Sequence, residues 1–410
     1  MNECRSCAAP LGAPFLSLGA SPVSNAYLRA EQLSAMEPTW PLDLHVCEQC
    51  WLVQLDEFQR ADHIFSEDYA YFSSFSASWL AHCRTYTENV TARFGLDRES
   101  FVVEVASNDG YLLQYFRDKG IPLLGIEPAA SVANAAIAKG IPTEIVFFGV
   151  AQAEAMRARG QLADLLAGNN VLAHNPNIND FVGGIARVLK PTGIATLEFP
   201  HLVRMLEANQ FDTIYHEHFS YLSLIAVEAL FERHGLVIFD VDELPTHGGS
   251  LRIYAQLKAT GTHAVEARVP ALRTAEEAAG LRSLATYTKF REQVVETKRK
   301  LLTLLVELKR AGKRIVGYGA PAKGNTLLNY CGIRGDFLDY TVDSSPHKQG
   351  RFLPGTRLPI HAPAKILEDK PDFVLILPWN IRDEIIAQMR GISEWGGKFI
   401  VPIPVPEIVA

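Results

Sequence analysis

Apolar and polar positions alternate along residues 75–250 in the rhythm of short buried strands and amphipathic helices. The apolar runs that predict strands lie at residues 101–106, 123–126, 164–166 and 194–199, and helical spacing recurs at residues 131–139 and 181–189. Strands that alternate with helices predict a doubly wound, mostly parallel sheet of the Rossmann-like kind. Such a sheet binds ligands beyond the carboxyl ends of its strands, so polar residues at those ends are the first candidates for a site.

The same rhythm returns in the last third of the chain. Strand candidates lie there at residues 314–318, 338–342, 373–377 and 398–403, which predicts a second open α/β domain. A charged amphipathic helix is predicted ahead of it, over residues 275–309. The first 65 residues show little periodicity and hold four of the six cysteines. This is expected of a small domain that a metal ion or disulfides must stabilise. We therefore expect three domains, at residues 1–65, 66–250 and 251–410.

Composition narrows the class of protein without identifying it. Hydrophobic residues make up 48% and charged residues 21% of the 410 positions, which is typical of a globular chain with two or three domains. The net charge of -7 speaks against nucleic acid as a partner, because a surface that follows phosphates needs a basic excess. The sequence shows no secretion signal and no apolar stretch long enough to span a bilayer. We expect a cytoplasmic protein with reduced cysteines and no membrane partner.

Two short cysteine pairs indicate a metal site. Cys4-x-x-Cys7 and Cys47-x-x-Cys50 each place two sulfur atoms on one side of a tight turn. Paired knuckles of this kind are a common framework for tetrahedral Zn²⁺, and the alternative is four unrelated buried cysteines. Because four sulfur ligands leave no open coordination position, we expect the zinc to be structural.

A polar turn, residues 106–110, follows the first predicted strand. Ala106 and Asn108 stand where a dinucleotide-binding loop has glycines, which weakens a pyrophosphate cradle. Glu127 ends the next strand, where an acidic side chain can bind both ribose hydroxyls. The sequence therefore favours an adenosine ligand other than NAD. The candidate contacts to this ligand are Glu104, Ala106, Ser107, Asn108, Asp109, Gly110, Tyr111, Glu127, Asn169 and Asn170.

The run of residues 215–218 reads Tyr-His-Glu-His and concentrates titratable groups that are costly to bury without a purpose. A histidine can remove a proton from a carbon beside a carbonyl, and a carboxylate can hold the tautomer of that histidine. A tyrosine hydroxyl can donate to the enolate oxygen that results. Two alternatives stay open: a metal site made by His216, Glu217 and His218, which lack the helical spacing of such ligands, and a purely structural polar cluster.

Two other stretches could reach the same cleft. His174 follows the fourth strand, where its side chain either faces the cleft or serves as a local cap or packing residue. Tyr69 and Tyr71 lie in an aromatic linker, which predicts either a lid over the site or packing between domains, and we favour packing for Tyr71.

A glycine-containing turn, residues 317–325, follows a predicted strand and opens a helix. Small residues let the backbone approach a phosphate, and Lys323 adds positive charge, so the turn is a candidate diphosphate site. Asp343 could bind a base or ribose, Trp379 could stack on a pyrimidine, and Arg351 lies either at this site or on a solvated loop. The candidate substrate contacts are His247, Ser250, Arg252, Lys323, Asn325, Asp343, Arg351 and Trp379.

Five motifs in order make the sequence recognisable. They are the paired cysteine knuckles, Glu-Val-Ala-Ser-Asn-Asp-Gly at 104–110, Tyr-His-Glu-His-Phe-Ser-Tyr at 215–221, His-Gly-Gly-Ser at 247–250, and Gly-Tyr-Gly-Ala-Pro-Ala-Lys-Gly-Asn at 317–325. Over essentially its whole length the chain resembles the C-methyltransferases of deoxysugar biosynthesis, most closely the dTDP-sugar C-3 methyltransferases that build branched sugars of antibiotics. The resemblance implies a zinc-binding N-terminal domain, a class I methyltransferase domain that binds S-adenosylmethionine, and a C-terminal α/β domain that holds the sugar nucleotide.

The resemblance also implies roles for single residues in the methylation of a 4-keto sugar. His218 would be the base, with Tyr215 as alternate base or proton relay. Glu217 and His174 would orient the sugar or stabilise the enolate, and Tyr69 would close over the cleft.

Several alternatives to C-3 methylation stay open. Methylation at C-5 or on an oxygen is the variant within the same class. An NAD-dependent sugar-nucleotide oxidoreductase is a rival that the glycine-poor 106–110 turn disfavours. A second rival is a non-catalytic module that zinc stabilises and that only binds a nucleotide. We expect a monomer in each case.

Overall fold

The structure is a computed structural model that describes residues 3–58 and 72–409. Packing divides the chain into two compact units, each built from three separate stretches. The first unit comprises Met1–Gly12, Cys47–His201 and Phe219–Arg282, and the second comprises Ala13–Val46, Leu202–His218 and Ser283–Ala410. The domain boundaries expected from the sequence, at residues 1–65, 66–250 and 251–410, stay a prediction.

A seven-stranded sheet organises the first unit. From one edge to the other its strands are Leu236–Leu244, Ser250–Leu257, Leu189–Pro200, Ala163–Asn169, Val102–Val105, Leu123–Ile126 and Thr143–Glu144. The last five are parallel, and the first two add an antiparallel edge. The central strands are buried on both faces, which explains why apolar residues dominate them, although Glu104 lies within the strand Val102–Val105. The predicted doubly wound sheet is confirmed.

Seven α-helices belong to the described part of the first unit. They are Ala77–Phe94, Leu113–Asp118, Ala130–Ala138, Val150–Ala158, Ile178–Val188, Leu224–Arg233 and Arg268–Ala278. Local sequence explains the start of Ile178–Val188, because the side chain of Asn177 accepts a hydrogen bond from the amide of Asp180. Its apolar positions recur at helical spacing and are buried against the sheet side of the core. A short antiparallel pair, Val53–Leu55 with Ser220–Tyr221, completes the unit.

The single helix predicted over residues 275–309 is wrong. The chain forms two helices instead, Arg268–Ala278 and Leu284–Arg310. Gly280 lies between them with φ of +81°, a left-handed conformation that commonly ends a helix. The apolar pattern continues on both sides of the break, so periodicity alone does not locate it.

The second unit contains a six-stranded sheet with the order Ile360–His361, Thr341–Val342, Ile315–Tyr318, Phe373–Ile376, Lys398–Val401 and Glu407–Val409. The first five strands are parallel and the last is antiparallel, which confirms a second α/β sheet. An antiparallel pair, Leu16–Ser21 with Trp40–Val46, belongs to the same unit. Its α-helices are Leu202–Glu207, Leu284–Arg310, Ala322–Cys331, Ala364–Asp369 and Arg382–Gln388.

Short 3-10 helices connect several of these elements. They are Ala30–Gln32, Ser73–Phe75, Leu172–His174, Phe211–Thr213, Thr246–Gly248, Trp379–Ile381 and Arg390–Trp395. Within residues 3–58 and 72–409, no helix combines the length and the apolar composition that a membrane span requires.

Candidate functional sites

The four predicted zinc ligands come together in the first unit. The Sγ atoms of Cys4 and Cys50 lie 3.5 Å apart, as do those of Cys7 and Cys47, and all four lie within 4.8 Å of one another. Tetrahedral zinc with Zn–S bonds of about 2.3 Å requires sulfur atoms about 3.8 Å apart. The donor set and its spacing therefore fit a structural zinc ion with no open coordination position.

The two knuckles share one backbone conformation. In each, the amide of the residue after the second cysteine donates to the carbonyl of the first, from Ala8 to Cys4 and from Trp51 to Cys47, both at 2.8 Å. Ala8 and Trp51 both have φ of +59°. The repeated left-handed residue turns the two sulfurs of each pair to one side, which is the geometry that the Cys-x-x-Cys spacing predicts.

A buried glutamine supports the zinc site. The Nε2 atom of Gln54 donates to the Sγ atom of Cys4 at 3.3 Å, and its Oε1 atom accepts from the amide of Arg5 at 2.9 Å. Outer contacts of this kind orient metal ligands. Gln54 belongs to no recognisable motif, so the sequence did not predict its contact with the zinc ligands.

The 106–110 turn follows the central strand Val102–Val105 and is conformationally unusual. Ala106, Asn108 and Gly110 all have positive φ, at 56°, 47° and 77°. Alternating residues in the left-handed region turn backbone amides toward a common side, and non-glycine residues there are strained. The turn therefore adopts a left-handed backbone conformation without glycine at its first two left-handed positions.

Glu127 connects the ends of two neighbouring strands. Its carboxylate accepts from the amide of Asn108 at 2.9 Å and from the amide of Ala129 at 2.8 Å. Burial raises the pKa of Glu127, although these two amides oppose the shift. Glu127 therefore follows the strand Leu123–Ile126 with its carboxylate bonded to backbone amides on both sides, and its contact with a ribose stays a prediction.

Several polar atoms around the 106–110 turn are buried without a hydrogen-bond partner among the described residues. They are the Oγ atom of Ser107, the Oδ1 atom of Asp109 and the Oδ1 atom of Asn170. Buried polar groups are rarely left unsatisfied in folded proteins. Their presence beyond the strand ends fits a bound ligand such as the predicted S-adenosylmethionine, which supplies a transferable methyl group when bound.

Three other predicted cofactor contacts lie beneath the turn. Glu104 is fully buried in its strand, and burial together with the charges of Glu127 and Asp109 raises its pKa well above the ordinary value. Tyr111 and Asn169 are also buried. A contact of Glu104, Tyr111 or Asn169 with the cofactor stays a prediction.

An ion-pair network in the first unit occupies part of the predicted substrate site. Arg252 donates to Glu198 at 2.5 Å, and His82 lies 2.9 Å from the same carboxylate oxygen. Although burial opposes the shift, His82 and Arg252 lower the pKa of Glu198 to about 2. Arg252 is therefore neutralised internally. His82 and Glu198 were not among the predicted residues.

The remaining predicted contacts of the first unit lie beside this network. The indole of Trp79 stacks on His82 with ring centroids 5.0 Å apart and meets the ring of His247 edge-on at 5.1 Å. The hydroxyl of Ser250 donates to the carbonyl of Thr246 at 3.0 Å. His174 ends its 3-10 helix in the same unit and is half-buried. Tyr69 and Tyr71 lie outside the described residues.

The 215–218 run lies in the second unit. The hydroxyl of Tyr215 is 2.7 Å from Nε2 of His218, and Nδ1 of His218 is 2.8 Å from the carbonyl oxygen of Thr213. Because a carbonyl oxygen only accepts, Nδ1 carries a proton, and in the neutral imidazole Nε2 then accepts from the hydroxyl. His218 is buried and Tyr215 is half-buried. The geometry is that of a base whose tautomer is fixed by the backbone.

The other two members of the run have different partners. His216 is buried, with Nε2 3.0 Å from the carbonyl oxygen of Pro41, and burial lowers its pKa. Both carboxylate oxygens of Glu217 accept from Nδ2 of Asn25, at 2.9 and 2.8 Å, and burial raises the pKa of Glu217 to about 7. Among the described residues, the four cysteines are the one group placed to hold a metal ion, so the metal alternative for this run gains no support.

The 317–325 turn is bonded on several sides within the second unit. The amide of Ala320 donates to Asp343 at 2.8 Å, and the carbonyl of Ala320 accepts from Lys348 at 3.0 Å and from the hydroxyl of Tyr27 at 2.6 Å. Gly319 has φ of +89°, and a side chain there would lie 2.5 Å from Pro378. Asp343 therefore shapes the turn, whereas the sequence suggested only a ligand contact.

Asn325 and Arg351 complete the predicted substrate contacts of this unit. Asn325 is buried and donates from Nδ2 to the carbonyl of Ser24 at 2.5 Å. Arg351 is half-buried on the loop after the strand Thr341–Val342. Ser24, Asn25 and Tyr27 come from the stretch between the two cysteine pairs, where the sequence analysis expected only a zinc domain.

Lys323 and Trp379 lie together. Nζ of Lys323 donates to Oδ1 of Asn380 at 2.7 Å and lies 4.9 Å from the ring centroid of Trp379. The indole nitrogen of Trp379 donates to Asp212 at 2.7 Å. Stacking of Trp379 on a pyrimidine would require the other face of the ring or a movement of Lys323.

Three family models match the chain in order. A zinc binding domain matches residues 4–65, a methyltransferase domain matches residues 79–241, and a C-methyltransferase C-terminal domain matches residues 245–404. The C-methyltransferase NovU of Streptomyces niveus is 36% identical over 410 residues, which are 100% of this chain and 97% of that protein.

Two solved structures overlap with parts of the chain. A methyltransferase from Aquifex aeolicus that depends on S-adenosylmethionine is 17% identical, with a TM-score of 0.32 over 42% of this chain and 88% of that one. The magnesium protoporphyrin IX methyltransferase of Synechocystis, with bound S-adenosylmethionine, is 13% identical, with a TM-score of 0.35 over 47% of this chain and 88% of that one.

The full-length similarity to NovU and the three family models, in the order that the motifs predicted, agree with the cysteine cluster and the first α/β sheet. The chain belongs to the C-methyltransferase family with a zinc-binding N-terminal domain, and it is an S-adenosylmethionine-dependent C-methyltransferase.

Proposed function

We propose that the enzyme methylates C-3 of a dTDP-linked 4-keto-deoxysugar during the biosynthesis of a branched sugar of an antibiotic. The observation that carries the proposal is the hydrogen bond between Tyr215 and His218, in the unit that also contains the 317–325 turn. A proton acceptor and a phosphate-binding turn are the two parts that carbon methylation of a sugar nucleotide needs. The similarity to the C-methyltransferase NovU supports transfer to carbon.

Each ligand has its own set of residues in this proposal. In the first unit, the 106–110 turn, Glu127 and Asn170 hold S-adenosylmethionine. In the second unit, the 317–325 turn holds the diphosphate, with Lys323 as its cation. Burial lowers the pKa of Lys323, and the nearby carboxylate of Asp212 opposes that shift. An anionic diphosphate would favour the charged lysine further.

The chemistry begins with the proton on C-3, which the neighbouring C-4 ketone acidifies. The hydroxyl oxygen of Tyr215 takes this proton and passes its own proton to Nε2 of His218. The two atoms are already hydrogen-bonded. We assign Tyr215 to the sugar side of the pair because it is the more exposed of the two residues. The enolate carbon then bonds to the donor's methyl carbon as the bond from sulfur to that methyl breaks, and S-adenosylhomocysteine leaves.

Glu217, His174 and Tyr69 complete the proposed site. Glu217 is buried, and its pKa of about 7 lets it orient a sugar hydroxyl either as donor or as acceptor near neutral pH. His174 would orient the sugar or stabilise the enolate, and Tyr69 would close over the cleft. We further propose a cytoplasmic monomer without a nucleic-acid partner, in keeping with the net charge of -7.

Incubation with labelled S-adenosylmethionine and a panel of dTDP-linked 4-keto sugars tests this proposal. The expected result is a label in the sugar and a new methyl signal on C-3 in the NMR spectrum of the product. A methyl group on C-5 or on oxygen would correct the position. A nicotinamide absorbance change without label transfer would favour the oxidoreductase. Calorimetric binding of the sugar nucleotide without binding of the donor would favour the non-catalytic module.

A further inference from the structure

A series of contacts within the second unit connects the proposed phosphate lysine with the proposed base. Lys323 lies against the ring of Trp379, and the indole nitrogen of Trp379 donates to Oδ2 of Asp212 at 2.7 Å. Asp212 precedes Thr213, whose carbonyl oxygen lies 2.8 Å from Nδ1 of His218. The segment around Thr213, which fixes the tautomer of His218, is therefore anchored by the side chain of Trp379, which follows the strand Phe373–Ile376.

A second contact holds the same segment from the other side. The hydroxyl of Thr326 donates to the carbonyl of Ile214 at 2.8 Å. Thr326 lies on the helix Ala322–Cys331, which begins at the 317–325 turn. The residues on both sides of Thr213 are thus bonded to buried groups, which limits rotation of the peptide plane that contains the Thr213 carbonyl.

The burial of Asp212 is costly and calls for a reason. Its side chain is 0% exposed, and its second carboxylate oxygen, Oδ1, has no hydrogen-bond partner among the described residues. A buried carboxylate destabilises a fold unless it is well paired, and an apolar side chain of similar shape packs at lower cost. The position is better explained by the bond that it accepts from Trp379 and by its charge near Lys323.

We propose that Asp212 and Trp379 are positioning residues for the methyl transfer, which hold the Thr213 carbonyl where it keeps the proton of His218 on Nδ1. Neither residue touches the sugar or the methyl donor in this proposal. The inference rests on the proposed function only in that His218 serves as the base.

Nuclear magnetic resonance of the histidine rings tests the inference without any substrate. With ¹⁵N-labelled histidine, the signal of His218 is identified by its loss in His218→Gln. It should show the Nδ1–H tautomer in the full-length protein. Trp379→Phe keeps an aromatic ring and removes the donor to Asp212, so the signal should shift toward a mixture of tautomers. Trp395→Phe is the matched control, because the indole nitrogen of Trp395 donates to the carbonyl of Pro371 and not to Asp212.

Steady-state rates give a second readout. Loss of one hydrogen bond corresponds to about a 3- to 10-fold fall in kcat, and we expect Trp379→Phe to show it with an unchanged KM for S-adenosylmethionine. The effect should disappear in a His218→Gln background, because the residue acts through the histidine. Asp212→Asn keeps an acceptor oxygen and should retain the Nδ1–H tautomer, whereas Asp212→Leu should lose it.

The inference is overturned if Trp379→Phe leaves the histidine signal unchanged, or if kcat falls equally with and without His218. Thr326→Val replaces Trp379→Phe if that variant does not fold, with the same expected tautomer shift. If no sugar nucleotide is methylated by the unaltered enzyme, the proposed function fails, while the tautomer measurement still decides whether these residues position His218.

Discussion

The hydroxyl of Tyr215 lies 2.7 Å from Nε2 of His218, and the two rings are 3.9 Å apart between centroids. With Nδ1 held by a backbone carbonyl, the accepting nitrogen of the imidazole faces the phenol. The two side chains therefore form one acid–base pair, in which a proton lost by the tyrosine can pass to Nε2 of His218. Substitution of either member should disable the pair as a whole.

His218→Gln and Tyr215→Phe should each lower kcat by about 100-fold or more, the usual contribution of a general base. The double variant should be little worse than either single one, because residues that act as a unit are not additive. Transfer of label at saturating donor measures both effects. His216→Gln is the control and should stay within a few-fold of the unaltered enzyme, since His216 is bonded to the Pro41 carbonyl. Near-normal turnover in both single variants would show that the base lies elsewhere.

Elemental analysis should find one zinc ion per chain. Cys47→Ser should lose it and lower the free energy of unfolding by on the order of 5 kcal/mol or more, because the binding energy of a structural zinc is folding energy. A chelator that removes the zinc should likewise lower the Tm of the unaltered enzyme. Cys331→Ser changes a cysteine outside the cluster and should keep the metal. Full folding and activity of the metal-free enzyme would contradict a structural role.

Gly110→Ala should cost more stability than the same change at Gly140. Both glycines have φ near +80°, so alanine is strained at either position by about 1 kcal/mol or more. At Gly110 a Cβ atom would also overlap Ile141, whereas at Gly140 no described residue lies within 4 Å of a Cβ atom. Overpacking adds about 1–3 kcal/mol, and the shifted turn should weaken binding of S-adenosylmethionine. Urea denaturation and calorimetry measure the two effects, and equal losses for the two variants would argue against a packed turn.

The stability of the enzyme should fall between pH 4.5 and about pH 7 in part because of Glu217. Burial raises the pKa of this group from 4.5 to about 7 in the folded protein. A raised pKa means that the folded state binds the proton more tightly, so the stabilisation is complete below pH 4.5 and is lost as the pH rises through 7. Between these two limits the free energy of unfolding should fall by about 3 kcal/mol because of Glu217.

Glu217→Gln should flatten that part of the curve of unfolding free energy against pH. Glu88→Gln, at an exposed helix position, should leave it unchanged. Asp212, whose pKa burial raises to about 6, contributes with the same sign and stays in the variant, so some slope should remain. An unchanged slope in Glu217→Gln would show that Glu217 is ionised in the folded protein throughout this range.

Sequence pattern predicted the two sheets and the zinc cluster because each depends on local order. The strand Val102–Val105 is buried on both faces, and three of its four residues are valine. Each cysteine pair closes a single turn. The partners of the site residues could not be predicted in the same way. Asn25 and Glu217 are separated by 192 positions, and only the packing of the whole unit brings them together.

The same limit applies to groups that the sequence made candidates for ligand binding. Arg252 is an apt residue for a diphosphate, but a buried carboxylate on the adjacent strand, Glu198, already pairs with it. Trp379 could stack on a base by composition alone, but its indole nitrogen and one face have protein partners. A side chain's type limits what it can bind, and its neighbours decide whether it is available.

The division of each unit into three stretches has a consequence for synthesis on the ribosome and for engineering. The chain passes from one unit to the other after residues 12, 46, 201, 218 and 282. The second unit therefore cannot be completed until the stretch that begins at Ser283 has left the ribosome. Until then, residues 13–46 lack most of the unit that they pack in. A chimera that exchanges only the C-terminal third with a relative would combine foreign strands with the original Asn25 and Tyr215. Transplanting substrate preference should require all three segments to be exchanged together.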